Sequence, residues 1–177
     1  MKIKQLDEIL ANKIAAGEVI ERPANVVKEL VENSIDASSS KIDIIIEEGG
    51  MNLIEIVDDG LGMDQEDAKL CFSRHATSKI TNDQDLFCIQ TLGFRGEAIP
   101  SIASISHFEL KTSDGQSGST VVYEFGKFIE QKQSDLKRGT KITVTKLFQN
   151  VPARLKYVKS VNAEFAHIQN YVERLSL

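Results

Sequence analysis

The sequence predicts an α+β domain in two layers, with helices packed on one face of a mixed, mostly antiparallel sheet. Three observations predict it. Apolar residues recur at helical spacing up to Asp36 and again from Asn162. Between these stretches Ile42, Ile44 and Ile46 recur at period two, and Gly49-Gly50 marks a hairpin. Strand-like runs then follow one another across Ser/Gly/Asp turns, without strict strand–helix alternation.

Each element has a local cause. Leu6, Ile9, Leu10 and Ile14 form one stripe of a short first helix, with Gly17 as its stop. Pro23 sits at the permitted first turn of a second helix that runs to about Asp36. Strands are expected at Lys41–Glu47 and Asn52–Val57, and a short helix begins near Asp64. Residues 73–96 are polar and aperiodic, so they read as a long loop, which in a compact domain usually serves function. A helix from about Glu97 precedes strands at His107–Thr112, Thr120–Phe125 and Lys141–Leu147. The last helix presents Phe165, Ile168, Val172 and Leu175 on one face.

Composition narrows the function classes. The chain has 177 residues, 41% apolar and 27% charged, enough for one core without disulfides or a structural metal. It has no apolar run of bilayer length and no signal peptide. Cys71 and Cys88 alone cannot build a disulfide scaffold and point to a reducing compartment, the cytoplasm. His75, His107 and His167 are too scattered for a zinc site. The net charge of −5 is not that of a dedicated nucleic-acid binder. From Leu136 to Ala163, however, there is no acid, while Lys137, Arg138, Lys141, Lys146, Arg154, Lys156 and Lys159 are all cationic. That block is either a solvated face or an attractor of phosphates.

Three constellations carry chemistry. On the second helix Asn25, Glu29, Glu32, Asn33 and Asp36 share one face, opposite Val27, Leu30, Val31 and Ile35. The face is a solvated acidic surface or a Mg²⁺ site, in which Asn33 supplies an oxygen and Glu29 activates a water. Asp58-Asp59-Gly60-Leu61-Gly62 follows a strand and is a plain turn or a close approach to a ligand, with Asp58 placed to accept from an exocyclic amine. Gly93-Phe94-Arg95-Gly96-Glu97-Ala98 enters a helix as an ordinary loop or a cradle for a triphosphate. A P-loop and a Gly-x-Gly-x-x-Gly motif are both absent.

In this order, the Asn33 face, the Asp58/Gly60/Gly62 loop, the Gly93–Ala98 cradle and Gly139-Thr140 resemble the four motifs of the gyrase/Hsp-chaperone/histidine-kinase/MutL ATPase superfamily, whose nucleotide fold is of the Bergerat type. More narrowly, ANKIAAGEVIERPANVVKELVENSIDA (Ala11–Ala37), DDGLGM (Asp58–Met63), SRHATSKI (Ser73–Ile80) and TLGFRGEAIPSIASI (Thr91–Ile105) are similar to the N-terminal ATPase domain of the MutL mismatch-repair family. Beyond residue 105 the likeness is looser. The family's Phe-Tyr-Asn-Thr-Pro-Ala-Arg element stands here as Phe148–Arg154 with two substitutions.

The resemblance implies a Mg²⁺-dependent ATPase. Glu29 would be the catalytic base and Asn33 the Mg²⁺ ligand. Asp58 would accept from the adenine amine, with Ala37, Gly60, Gly62, Met63 and Thr140 shaping the base pocket. Thr77, Ser78 and Lys79 would belong to a nucleotide lid over about 73–96, and Leu92, Gly93, Arg95, Gly96, Glu97 and Ala98 would cradle the phosphates. Lys137, Arg138, Lys156 and Lys159 would touch DNA weakly and without sequence preference. The implied partners are ATP or ADP, DNA, the mismatch-recognition protein MutS and a downstream endonuclease or helicase, in the bacterial cytoplasm at the nucleoid. Family members continue into a second α/β subdomain and a C-terminal dimerisation region. The 177 residues are therefore expected to be a truncated ATP-binding domain, monomeric and weakly active alone, and a homodimer in the longer protein. The competing reading is a nucleotide-, DNA- or partner-binding module with negligible turnover. The topoisomerase and chaperone branches are disfavoured by GFRGEA and SRHATSKI.

Overall fold

The computed structural model describes residues 13, 14, 16, 17, 19–73, 97–156, 158 and 160–175. The elements in chain order are α1 (Pro23–Asp36), β1 (Ile42–Glu47), a 3₁₀ turn (Glu48–Gly50), β2 (Leu53–Asp58), α2 (Gln65–Leu70), α3 (Ala98–Ser104), β3 (His107–Ser113), β4 (Gly118–Glu124), β5 (Lys127–Gln133), β6 (Gly139–Thr145), α4 (Pro152–Leu155) and α5 (Val161–Leu175). Among the described residues, six strands form one sheet in the order β1-β2-β6-β3-β4-β5, and each of these pairings is antiparallel. The expected α+β layering of helices on a mostly antiparallel sheet is thus present, and among the described residues no parallel pairing occurs.

Period two puts alternate residues of each strand on the inner, helix-covered face. Register lines them up in rows. Ile54, Val144 and Phe108 lie abreast on β2, β6 and β3, and Ile56, Ile142 and Leu110 form the next row. All six are buried, along with Leu30, Ile102, Ile105 and Phe148 from the covering layer and its connections. Each such side chain contributes about 1.5–3 kcal/mol by leaving water. At the Phe108 end, Phe72 stacks on Tyr123 with centroids 4.2 Å apart and meets Phe108 edge-on at 5.6 Å.

Helix α1 begins where Pro23 allows, and Asn25 Oδ1 accepts the backbone N–H groups of Glu21 and Arg22, which brackets the turn into it. Asn25 therefore serves the helix start rather than the acidic face. The buried stripe is Val26, Val27, Leu30, Val31 and Ser34, while Ile35 is exposed. Asp64 caps α2 by accepting from the N–H groups of Glu66 and Asp67.

Several expectations are corrected. Gly17 does not stop a helix, since residues 13, 14, 16, 17 and 19 are all helical. Its missing side chain instead admits the Arg154 guanidinium, which a Cβ there would overlap. Arg154 donates to the carbonyl of Ile20 and lies 6.0 Å from the Phe148 ring centroid, so the Phe148–Arg154 element fastens the segment before α1. Strand β5 and helix α4 were not anticipated; β5 is an edge strand with an almost wholly exposed surface. On α5 the buried residues are Glu164 and Ile168, and Phe165 and Leu175 are exposed, so the packed face is rotated from the expected one. The reason is Glu164, whose stem packs on the Gly49 turn where the apolar pattern assigned no contact. The first-helix residues 1–12 and the loop residues 74–96 lie outside the described residues.

Candidate nucleotide-binding site

The inner face changes character at one end. The row after Ile56–Ile142–Leu110 is Asp58–Thr140–Thr112, and all three residues are buried. A buried polar group is costly unless it is hydrogen-bonded, and this row is bonded throughout. Ser34 on α1 donates from Oγ to Asp58 Oδ2 at 2.8 Å, and the Gly60 N–H donates to Oδ1 at 3.0 Å. Thr112 Oγ1 and Thr140 Oγ1 are 3.0 Å apart. The Met63 N–H donates to Thr112 Oγ1 at 2.9 Å.

The loop after β2 is folded against this row, and its glycines are dictated by space. A Cβ on Gly60 would sit 2.6 Å from Ser39 Oγ and 2.8 Å from the Ala37 carbonyl. That carbonyl accepts the Leu61 N–H at 2.9 Å. Gly62 has φ +68°, and a Cβ there would overlap the Ser113 carbonyl, so both conformation and space require glycine. The structure thus brings together Ala37, the Asp58–Met63 loop with Gly60 and Gly62, and Thr140, from three separate stretches of the sequence. Asp59 is not part of the row. Its carboxylate accepts from Ser40 Oγ and from the N–H groups of Ser40 and Lys41, which holds it below the usual aspartate range.

Glu29, Glu32 and Asn33 lie on α1 beside Ser34 and are half-buried. Tyr171 of α5 donates to Glu32 Oε1 at 3.0 Å, so α5 reaches this acidic face. Burial, then the hydrogen bond to Glu32 and the charges of Glu32 and Glu29, raise the Tyr171 phenol well above its ordinary range. Glu32 is thereby assigned a structural partner. Glu97 occupies the position before α3 without a side-chain capping hydrogen bond, and Ala98 is the first residue of the helix. Thr77, Ser78, Lys79, Leu92, Gly93, Arg95 and Gly96 lie outside the described residues, as does Lys159. Among the described residues no cluster of three or more His, Cys, Asp or Glu could hold a metal. Glu29 and Asn33 offer oxygen donors one turn apart, a set suited to Mg²⁺, which takes one or two protein ligands beside waters and phosphates.

The basic block is not one patch. Lys137 and Arg138 precede β6 at the Asp58 end of the sheet, whereas Lys156 follows α4, beyond the other end of a strand about 20 Å long. Lys141 pairs with Glu55 at 2.9 Å, Lys146 with Glu124 at 2.7 Å, and Arg154 with the Ile20 carbonyl.

Sequence reasoning missed Ser34 and Thr112. Each is a polar residue on an otherwise apolar stripe, Ser34 one turn beyond Leu30 and Thr112 two residues beyond Leu110. That interruption was the available signal.

A polar row with a glycine loop folded over it, at the end of an antiparallel sheet covered by α1, defines a nucleotide-binding ATPase fold. Residues 20–156 match the family of histidine kinase-, DNA gyrase B- and HSP90-like ATPases, and the chain belongs to that family. Within it, the chain is similar to the N-terminal region of MutL. It is 57% identical over 177 aligned residues to the DNA mismatch repair protein MutL of Bacillus pumilus, covering 99% of this chain and 28% of that protein. It is likewise 57% identical to MutL of Listeria monocytogenes, covering 29% of it. The chain therefore spans less than a third of the length of these relatives. Among solved structures, the Aquifex aeolicus MutL ATPase domain complexed with ADP superposes with a TM-score of 0.66 at 28% identity, over 89% of this chain and 56% of that one. The N-terminal domain of a DNA repair protein gives 0.76 at 30% identity, over 92% and 47%. No helix among the described residues is long and apolar enough to cross a membrane.

Proposed function

We propose that this chain binds ATP with Mg²⁺ and hydrolyses it, and that in the longer protein this cycle drives N-terminal dimerisation and a clamp on DNA that links mismatch recognition to later repair. The observation that carries the reading is the Asp58–Thr140–Thr112 row beneath the Gly60–Met63 loop. Adenine presents an amine to the Asp58 carboxylate, whereas guanine presents a carbonyl that the carboxylate repels. Asn33 offers its side-chain oxygen to Mg²⁺, which when bound neutralises phosphate charge. Glu29 accepts the proton of the attacking water. Glu97 and Ala98, at the start of α3, cradle the phosphates together with Leu92, Gly93, Arg95 and Gly96, and the lid is assigned to about 73–96, with Thr77, Ser78 and Lys79 in it. Lys137 and Arg138 contact DNA weakly, with Lys156 and Lys159 engaging it separately. In the longer protein the partners are a second copy, DNA, a mismatch-recognition protein and a downstream repair enzyme.

Calorimetry of the chain with a non-hydrolysable ATP analogue, with and without Mg²⁺ and against the GTP analogue, tests this. Mg²⁺-dependent binding of the ATP analogue alone is expected. Equal binding of both analogues would sink the base assignment, and affinity indifferent to Mg²⁺ would remove the Asn33 assignment.

A further inference from the structure

Thr112 is wholly buried, at 0% exposure, and its hydroxyl has three neighbours. The Met63 N–H lies 2.9 Å away, the Gly139 carbonyl 3.1 Å and Thr140 Oγ1 3.0 Å. A threonine hydroxyl has one proton and two lone pairs. The Met63 N–H occupies one lone pair. If Thr112 gives its proton to the Gly139 carbonyl, Thr140 donates into the second lone pair and all three contacts are hydrogen bonds. If Thr112 donates to Thr140 instead, the Gly139 contact has no hydrogen and only two bonds form. In a buried site the fully satisfied arrangement prevails. It spends the Thr140 proton on Thr112 and leaves Thr140 Oγ1 with lone pairs only.

Asp58 and Thr140 are directly paired across β2 and β6, so their side chains leave the same face side by side. We propose that Thr112 is a positioning residue for base recognition: it fixes the Thr140 hydroxyl as a proton acceptor beside the Asp58 carboxylate, so that this row presents acceptors and no donor to the base edge. The ligand class that fits is a purine bearing an exocyclic amine, met directly or through a water. The same hydroxyl ties the Met63 end of the glycine loop to the start of β6, so loop position and proton direction are set by one group. This inference rests on the adenine reading of the site.

The test compares two triphosphates that differ only at the amine, an ATP analogue and purine riboside triphosphate, on the whole chain. Wild type should prefer the ATP analogue. Thr112→Val keeps the shape and removes the hydroxyl; it should lose about tenfold of that preference, roughly one buried hydrogen bond. Thr112→Ser keeps the hydroxyl and should retain the preference. A merely structural Thr112 would weaken both ligands alike in the valine variant and leave their ratio unchanged, and that result would overturn the proposal. If the valine variant does not fold, Thr112→Cys, whose thiol donates and accepts weakly, should show the same loss of ratio, and an unchanged ratio there overturns the proposal equally. No preference in wild type would overturn the Asp58 reading along with it.

Discussion

The two ends of the inner sheet face share strands, spacing and cover, yet differ in what they are made of. At one end Ile54, Val144 and Phe108 lie abreast and lead into the Phe72–Tyr123 stack. At the other, Asp58, Thr140 and Thr112 lie abreast under a glycine loop. The rows are four residues apart along each strand, about 13 Å, which exceeds the range over which mutational effects couple strongly. The apolar end should therefore carry stability and the polar end selectivity, with little exchange between them.

The largest effect should break the polar end. Asp58→Asn should collapse a preference for adenine over guanine triphosphate of roughly 10⁴-fold, while thermal unfolding shifts by only a few degrees. Competition binding and calorimetry read the two quantities separately, and a variant that keeps its preference would remove Asp58 from base recognition. Within the same end, Glu29→Gln should lower turnover about 10²–10⁴-fold in a chain that includes the rest of the protein, and leave Mg-nucleotide binding in place. Phosphate release at the wild-type rate would reassign the base.

At the apolar end, Phe108→Ala should cost about 3–5 kcal/mol in denaturant unfolding without altering the adenine preference of the folded fraction. Combining it with Asp58→Asn should give additive effects, and a coupling above about 0.5 kcal/mol would show that the two ends are one unit. The smallest effect concerns Cys71, which packs against the aromatic cluster. Burial, aided by the charge of Asp67, pushes its thiol up to about 12. In a Cys88→Ser background it should resist alkylation at pH 8 in the native state and react once unfolded. The folded thiol keeps its proton above the unfolded value of about 8.5, so its contribution to stability is complete below that pH and is lost as pH rises toward 12. Rapid native alkylation would mean that water reaches this end of the face.

What could be read without coordinates follows the same division. The span of helix α1 was legible, because Pro23 fixes its start and the Val27–Val31 periodicity is strong, whereas Asn25 and Ile35 were placed on the wrong duties. The Asp58 loop was legible as a tight turn from its two glycines, and only the family resemblance distinguished a ligand approach from a plain turn. Strand β5 was not, since an edge strand that buries almost nothing has no apolar alternation to display. Ser34 and Thr112 were passed over because a hydroxyl on an apolar stripe looks like noise until its partner across the fold is known. Gly17 was read as a stop because its reason lies in Arg154, far along the chain.

The strand order has a consequence for how the molecule comes into being. Strand β6 is the last made of the described strands, yet it lies between β2 and β3 in the middle of the sheet. Until residues 139–145 leave the ribosome, the first hairpin and the β3–β4–β5 meander each hold an open edge and cannot join. Asp58 and Thr112 wait on opposite banks for Thr140, and Arg154 secures the opening segment only after that. Such distant pairings assemble slowly, because the long intervening chain must be closed before any contact rewards it. A nascent chain stalled before β6 would present two unpaired strand edges, β2 and β3, the kind of surface that chaperones cover and that aggregates recruit.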